Sequence, residues 1–271
     1  MKNSVTIIFS KNRAMQLTLC LETLLNHCSD ILDLSDIYVL YKVDPSHRES
    51  YETVKKEFPT INFVEETIFK EDLLKIVHNE SNVLFLTDDS CFVEDFSIEE
   101  CLTALNGLPT CLGFSLRLGE NTKYCFSLDT NQEVPMIWNT INNNILIYKW
   151  TDAQYDFGYP LELSSSIYKI EDIIEILENC SYNSPNSLES LLASCYLEGQ
   201  PYLMMFKKSV CFSMPLNLVQ STHPNRSANF DLDTFRRLYE KGIRIDSKQF
   251  NGYISNGAHE IPKEINMVDK K

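Results

Sequence analysis

The spacing of hydrophobic positions in the first third of the chain switches repeatedly between two patterns. Short apolar runs rich in β-branched residues predict buried strands, and they lie at residues 5–10, 37–43, 61–64 and 83–86. Between these runs, apolar residues recur every three or four positions and predict helices, which start at residue 12 and span residues 45–58 and 69–79. Strands that alternate with helices indicate an α/β fold, with a mostly parallel sheet and helices on both faces.

The remainder of the chain has a less regular pattern. It predicts strands at residues 111–118, 145–150 and 202–207, and helices at residues 170–179, 187–197 and 231–241. No internal repeat is visible, and only 8 Gly and 10 Pro are present, so no flexible linker is expected. We therefore expect a single domain over residues 1–271, with halves at 1–110 and 111–251 and a polar, loosely held tail at 252–271.

Polar clusters follow three of the predicted strands of the first half. Ser10-Lys11-Asn12-Arg13 follows the first strand, Asp44 follows the second and Asp88-Asp89-Ser90 follows the fourth. Ligands of such sheets bind at the carboxyl ends of the strands. We therefore expect these clusters, although distant in sequence, to share one edge of the sheet.

Composition and charge exclude several classes of function. The chain carries 24 Lys and Arg against 38 Asp and Glu, a net charge of −14, which argues against nucleic acid and anionic membrane surfaces as partners. No apolar run is long enough for a transmembrane segment, and the run at residues 5–9 is too short for a signal peptide. Nine Cys without close pairs indicate buried thiols in a reducing compartment, so a cytoplasmic location is expected.

The adjacent carboxylates Asp88 and Asp89 are the strongest local signal. A strand without polar residues delivers both to a loop, and carboxylate oxygens bind Mg²⁺ or Mn²⁺ together with substrate phosphates. The same pair also suits a solvated acidic turn, since Asp is favoured in turns. The residues alone leave these two interpretations open.

The order of these features resembles that of the GT-A glycosyltransferases. The opening Ile7-Ile8-Phe9-Ser10-Lys11-Asn12-Arg13, followed by a Leu-rich helix, is similar to their first strand and loop, and Phe85-Leu86-Thr87-Asp88-Asp89-Ser90 is similar to their DxD motif. The resemblance covers about the first third of the chain. It implies a GT-A-like, Rossmann-like fold with a smaller acceptor-side region. It also implies transfer of a sugar from a nucleotide diphosphate donor, most simply UDP-linked, to a saccharide or other hydroxyl acceptor, with Mn²⁺ or Mg²⁺ as cofactor.

The resemblance also implies roles for individual residues. Arg13 would meet the diphosphate, Asp44 the uracil or ribose, and Asp89 the metal. Thr87 stands where the first Asp of DxD is expected, and a register from Asp88 to Ser90 also lacks one carboxylate. Asp44 has the alternative role of starting the next helix before Pro45. The residues expected at the nucleotide-sugar site are, with Arg226 added from the second half, Phe9, Ser10, Lys11, Arg13, Asp44, Asp88 and Arg226.

Two segments of the second half carry further candidates. Residues 150–169 are rich in aromatic residues and acids, and an inverting transferase uses a carboxylate to deprotonate the acceptor hydroxyl. Glu162 is the first candidate base and Asp156 the second, whereas a retaining reaction needs no such base. Residues 215–226 would close over the diphosphate, with Arg226 on the phosphates and His223 as a further metal ligand. Both segments also suit surface loops.

Two other functions remain as alternatives. A nucleotidyltransferase would use similar carboxylates, although the loop from Ser10 to Arg13 lacks its usual glycines. A non-catalytic nucleotide-sugar binding module would explain the missing carboxylate of DxD. The chain contains no GxGxxG, GxxxxGK[ST] or GxSxG pattern, so it gives no support to dinucleotide, P-loop or serine hydrolase functions. The pattern indicates neither the oligomeric state nor the identity of the sugar.

Overall fold

The structure is a computed structural model that describes residues 2, 4–195, 197–219 and 226–270. The strands of this described part are β1 (Ser4–Lys11), β2 (Ser35–Lys42), β3 (Asn62–Glu65), β4 (Asn82–Thr87), β5 (Ser90–Phe92), β6 (Cys111–Ser115), β7 (Tyr124–Cys125), β8 (Thr130–Asn131), β9 (Ile137–Ile141), β10 (Ile145–Lys149), β11 (Ser165–Lys169), β12 (Tyr202–Phe206), β13 (Cys211–Ser213), β14 (Ile243–Ile245) and β15 (Met267–Asp269). The α-helices are α1 (Ala14–His27), α2 (Ile31–Leu34), α3 (Arg48–Glu57), α4 (Phe69–Val77), α5 (Ile98–Asn106), α6 (Ile170–Asn179), α7 (Pro185–Ala193) and α8 (Leu232–Glu240).

Nine strands form one central sheet in the order β3-β2-β1-β4-β11-β6-β12-β10-β9. The strands β3, β2, β1 and β4 are parallel, whereas β11 runs antiparallel to both β4 and β6. The carboxyl ends of β1, β4 and β6 therefore lie at the same edge as the beginning of β11. The predicted fold class, a mostly parallel sheet flanked by helices, is confirmed.

Apolar side chains cover both faces of the sheet. Successive residues of a strand point to opposite faces, and Ile7 with Phe85 packs into one cluster whereas Ile8 with Leu86 packs into the other. Helices α1, α3, α5 and α8 contribute to the second cluster, and α4, α6 and α7 to the first. This double coverage explains why β1 and β4 are continuous apolar runs rather than alternating patterns.

The helix boundaries differ from the predicted ones where the chain leaves a strand. Helix α1 begins at Ala14 rather than at residue 12, because Asn12 has a left-handed backbone, with φ of 57°. The helix predicted over residues 45–58 is a 3₁₀ turn, Pro45–His47, followed by α3. Asp44 precedes this turn, but its side chain makes no capping hydrogen bond there.

Two segments of the second half are more ordered than the pattern indicates. The strand β11 lies inside residues 150–169. Its buried serines interrupt the apolar run by which a buried strand is otherwise predicted. The tail, predicted to be loosely held, instead packs against the core, since Ala258 is buried and β15 pairs with β14. Backbone hydrogen bonds hold this tail, with Ser213 N donating to Ala258 O at 2.9 Å, and polarity alone does not predict such bonds.

The nine thiols are all free, and seven of them are buried, in agreement with the prediction of reduced cysteines in the interior. Across the described ranges, no helix combines the length and the apolar character that crossing a membrane requires.

Candidate active site

A cleft of about 760 Å³ opens at the carboxyl ends of β1, β4 and β6. One wall, here named the strand-end side, consists of Phe9, Ser10, Lys11 and Arg13 with Thr87, Asp88 and Asp89. A second group of lining residues, named the hairpin side, consists of Cys125, Phe126, Ser127 and Leu128 with Tyr155 and Asp156. Residues from the beginning of α7, from 215–219 and from the tail complete the lining.

The cleft brings together most of the site residues that were predicted from the sequence. Phe9, Ser10, Lys11, Arg13, Asp88, Asp89, Asp156 and Arg226 all line it. Asp44 and Glu162 are not among its lining residues, and His223 lies outside the described residues. The expectation that the polar clusters after β1 and β4 share one edge therefore agrees with the geometry.

Asp88 is buried in a network that joins β1 to β4. Its carboxylate accepts hydrogen bonds from Ser10 Oγ at 2.8 Å, from the Lys11 backbone nitrogen at 3.3 Å and from Arg13 Nη1 at 2.8 Å. Burial raises the pKa of the Asp88 carboxyl, and the charge of Arg13 opposes that rise. The carboxylate is thus engaged on several sides by its own chain.

Arg13 is held from the other end of the chain. Its Nε donates to Asn217 Oδ1 at 2.9 Å, and its Nη2 donates to the Asn217 carbonyl. Gln16 Nε2 donates to the same Asn217 side chain at 3.0 Å. Arg13 thereby fixes the positions of the two acidic residues of the strand-end side.

Asp89 is the more accessible member of the acidic pair, with 16% of its side chain exposed against 3% for Asp88. Thr87 Oγ1 donates to its Oδ1 at 2.7 Å, and Arg13 Nη1 lies 3.4 Å from its Oδ2. The described residues contain no group of three His, Cys, Asp or Glu that could hold a metal. Mg²⁺ and Mn²⁺ sites that use substrate phosphates need one or two carboxylates, and Asp89 fits the role of one such ligand.

Ser90 does not complete the acidic motif. Its hydroxyl is buried and donates to the Ser164 carbonyl at 2.7 Å, which ties the start of β5 to the loop before β11. Asp44 is exposed, and it exchanges hydrogen bonds with Asn12, which donates to Asp44 Oδ2 at 2.6 Å. These two hydrogen bonds join the loop after β1 to the loop after β2, beside the cleft.

Glu162 is turned into the protein. Its carboxylate accepts hydrogen bonds from the backbone nitrogens of Ser164 and Ser165 and from the Ser166 hydroxyl. Arg117 Nη2 lies 3.5 Å away, and both side chains are nearly inaccessible. The geometry suits a residue that holds the beginning of β11 in place.

The variant Glu162→Gln should therefore destabilise the fold by about 1–3 kcal/mol, because it removes charge-assisted bonds to buried donors. Urea unfolding monitored by circular dichroism measures this loss. An unchanged unfolding midpoint together with lost activity would instead assign Glu162 to the chemistry. Glu175→Gln on α6 is the matched control, since Glu175 is exposed.

Glu189, which the sequence did not nominate, lines the cleft from the first half of α7. Burial, together with the negative charge of Glu162, raises the pKa of its carboxyl to about 7, although Arg117 and a hydrogen bond with Tyr159 oppose this. The charge of Asp89 contributes to the same rise. A carboxyl that titrates near neutral pH in a cleft is suited to accept a proton.

Local sequence gives little signal for Glu189. Ser184 and Pro185 mark the helix start, and a capping box at Ser184 and Ser187 fixes its first turn. These residues place the helix, but its orientation toward Arg117 and Tyr159 depends on packing between distant segments.

Arg226 contacts the hairpin side. Its Nη1 donates to the Phe126 carbonyl at 2.7 Å and lies 3.1 Å from Asp129 Oδ1, with the guanidinium 4.6 Å from the centre of the Phe126 ring. Asp156 is held by Gln132 Nε2, which donates to it at 2.8 Å. Both residues therefore have defined positions in the lining of the cleft.

Comparisons with known proteins agree with this architecture. No model of a known protein family matches the chain. The chain is 28% identical over 256 residues to the bifunctional glycosyltransferase pgtA of Dictyostelium discoideum, a match that covers 83% of this chain and 33% of that protein. The chain thus spans about a third of the length of this curated relative.

Solved structures give the fold. The S. aureus TarS 1-349 structure in complex with UDP-GlcNAc aligns with a TM-score of 0.50 and 11% identity, over 88% of this chain and 65% of that chain. The mannosyltransferase PcManGT of Pyrobaculum calidifontis, in complex with GDP-Man and Mn²⁺, has a TM-score of 0.37 and 10% identity over 64% of this chain and 46% of that chain, too distant for a conclusion. The resemblance to the GT-A glycosyltransferases is therefore confirmed for the fold and for the relationship in sequence to a glycosyltransferase, whereas the DxD motif stays a prediction.

Proposed function

We propose that the cleft transfers a sugar from a nucleotide diphosphate donor to a hydroxyl acceptor. One observation carries the proposal: Glu189, a carboxyl with a pKa of about 7, lines the same cleft as the acidic pair at the end of β4. A carboxyl of this kind in a cleft favours an enzyme over a binding module. A nucleotide-sugar donor also agrees with the UDP-GlcNAc bound to the similarly folded TarS.

The donor occupies the strand-end side in this proposal. Phe9, Ser10 and Lys11 line the nucleotide subsite, and Lys11 adds positive charge near the phosphates. Asp89 would hold Mn²⁺ or Mg²⁺, and a metal at this position would supply positive charge beside the leaving diphosphate. Arg13 acts as a positioning residue, because Asp88 and Asn217 already engage its guanidinium.

The reaction is a single displacement with inversion. Glu189 takes the proton of the acceptor hydroxyl while that oxygen forms a bond to the anomeric carbon of the donor. The bond between this carbon and the diphosphate oxygen breaks, and the nucleoside diphosphate leaves with the electron pair. Asp156 binds a further hydroxyl of the acceptor on the hairpin side. Arg226 holds the residues of the hairpin side in place and does not bind the diphosphate.

A thermal-shift screen of UDP, GDP, CMP and ADP, each with and without Mn²⁺, tests the donor subsite. We expect a Mn²⁺-dependent shift with UDP, equivalent to about 2.7 kcal/mol at a hundred times Kd. Asp89→Asn should abolish the Mn²⁺ dependence, whereas Asp33→Asn on the exposed surface of α2 should retain it.

Three other outcomes of this screen would change the proposal. A shift without metal would remove Asp89 as a ligand, and a shift with another nucleotide would change the donor class. The absence of any shift would contradict the nucleotide subsite itself.

A further inference from the structure

Arg117 lies two residues after the end of β6 and lines the cleft with a buried guanidinium that has few partners. Its Nη1 lies 3.4 Å from His259 Nε2, and its Nη2 lies 3.5 Å from Glu162 Oε2. Its Nε has no hydrogen-bond partner among the described residues. A buried donor without a partner is costly, so the guanidinium retains capacity for a ligand oxygen.

His259 presents a second donor of the same kind. Arginine can only donate, so the Nε2 of His259 accepts from Arg117 and the proton of the neutral ring lies on Nδ1. Burial and the charge of Arg117 lower the pKa of His259 to about 3, which keeps the ring neutral. Within the described ranges, Nδ1 also lacks a partner and is buried. Two buried N–H donors, on residues that line the cleft, thus lack a hydrogen-bond partner in the described part of the chain.

The charge around these donors favours a neutral ligand oxygen over an anion. Glu162 already lies beside the guanidinium, and Asp156, Glu189 and Asp89 line the same cleft. The charge of Glu162 already offsets that of the guanidinium, so a carboxylate or phosphate at these two donors would gain little net attraction. The donors therefore suit a hydroxyl or a carbonyl oxygen.

Tyr155 supplies an exposed aromatic face on the hairpin side. Its backbone has φ of 54°, a conformation that aromatic residues rarely adopt, and its side chain is 41% exposed. Leu128, 62% exposed, lines the same wall. Backbone strain that persists at a cleft is a sign of a functional constraint. An apolar face next to free donors and carboxylates matches the two kinds of surface of a sugar ring.

We propose that the hairpin side, together with Arg117 and His259, binds an uncharged sugar residue of a saccharide acceptor, whose ring stacks on Tyr155 and whose oxygen accepts from Arg117 Nε and His259 Nδ1. This inference rests on the proposed function and extends it from hydroxyl acceptors in general to neutral saccharides.

The test measures release of the nucleoside diphosphate from a UDP-sugar. The acceptors are neutral sugars matched with their acids: galactose with galacturonic acid, and glucose with glucuronic acid. We expect a neutral sugar to accelerate release and its matched acid to be at least 10-fold less effective. Preference for an acid, or acceleration by glycerol but by no sugar, would overturn the inference.

Variants at Tyr155 test whether the preference for neutral sugars depends on the hairpin side. Tyr155→Asn removes the ring while it tolerates the positive φ, and it should raise KM for the neutral sugar by about 3- to 10-fold, more than it changes kcat. Tyr155→Phe should keep the KM of the natural protein. Trp138→Ala, which removes an exposed aromatic residue outside the cleft, serves as the control. Equal KM values for Tyr155→Asn and the natural protein would overturn the stacking.

A second pair of variants tests the donors. His259→Asn keeps an N–H near the position of Nδ1, whereas His259→Leu removes it. The Asn variant should retain a KM within 3-fold of the natural value, and the Leu variant should lose at least 10-fold. Equal KM values for the two variants would overturn the role of His259. Failure of the natural protein to bind or hydrolyse any nucleotide sugar would instead contradict the proposed function, and the acceptor site with it.

Discussion

Glu189→Gln should lower kcat by about 10²- to 10⁴-fold, the usual contribution of a general base. The substitution preserves shape and removes only the proton acceptor. Steady-state release of the nucleoside diphosphate, at saturating donor and acceptor, measures the effect. Glu175→Gln, the same change at an exposed position of α6, should leave kcat unchanged. A loss below tenfold in the Glu189 variant would assign the proton transfer to another group.

The dependence of the rate on pH is a second, independent test of Glu189 as the general base. The base must be ionised to accept a proton, and burial raises the pKa of Glu189 to about 7. The rate of the natural protein should therefore fall below pH 7, about tenfold per pH unit at the acidic limit. Arg117, Tyr159, Glu162 and Asp89 all influence this carboxyl. The residual activity of the Gln variant should lack the acidic limb with a pKa near 7.

The same substitution should stabilise the protein at alkaline pH. A folded-state pKa above the ordinary value of 4.5 means that folding disfavours the ionised form of Glu189. The stability of the natural protein should therefore decline as pH rises from 4.5 to about 7, with the full cost present above that range. The Gln variant escapes this cost, so its Tm at pH 8 should exceed that of the natural protein. Lost activity with gained stability is typical of a residue kept for function.

Asp88→Asn should destabilise the protein by about 3–5 kcal/mol, because it leaves the buried charge of Arg13 without its main partner. In a protein of this size, each kcal/mol corresponds to about 2–4 °C in Tm. Asp89→Asn should cost much less, since the Asp89 carboxylate lies farther from the guanidinium, at 3.4 Å against 2.8 Å for Asp88. Calorimetric unfolding of both variants measures the difference. Equal losses would contradict the separation of a structural and a functional carboxylate.

A double variant isolates the ion pair from other contacts. Arg13→Met combined with Asp88→Asn removes both charges, so the double variant should lose less stability than the sum of the two single changes. Strict additivity would indicate that Ser10 and the Lys11 backbone, rather than Arg13, account for the stability that Asp88 provides.

The sequence predicted the strand-end side of the cleft better than the hairpin side. Strands β1 and β4 are buried on both faces, so they stand out as apolar runs, and parallel pairing brings Arg13 and Asp89 to one edge. The hairpin side is built from the two-residue strands β7 and β8 and from a 3₁₀ turn at Tyr155–Gly158, which are too short to produce a hydrophobic pattern. The strand β11, which pairs antiparallel with β4 and β6, was also not predicted, because its serines give no strand signal.

The prediction of Glu162 as the base, without any mention of Glu189, shows the same limit. Both are acids in the second half, and local composition favoured Glu162 because aromatic residues surround it. Packing turns Glu162 toward the serines of β11 and turns Glu189 into the cleft. His259 was missed for a related reason, since only the bridge between the tail and Ser213 brings it to the cleft.

The pairing of Arg13 with Asn217 also sets the order in which the cleft forms during folding. These residues are 204 positions apart, and the carbonyl of Asp89 accepts from the Met214 nitrogen at 2.8 Å. Contacts between residues so distant in sequence form slowly, because the loop they close must first be ordered. We therefore expect Asp88 and Asp89 to be synthesised early, whereas the contacts that join their wall to residues 214–217 form late. An amino-terminal fragment that keeps all of them should still lack a finished donor subsite.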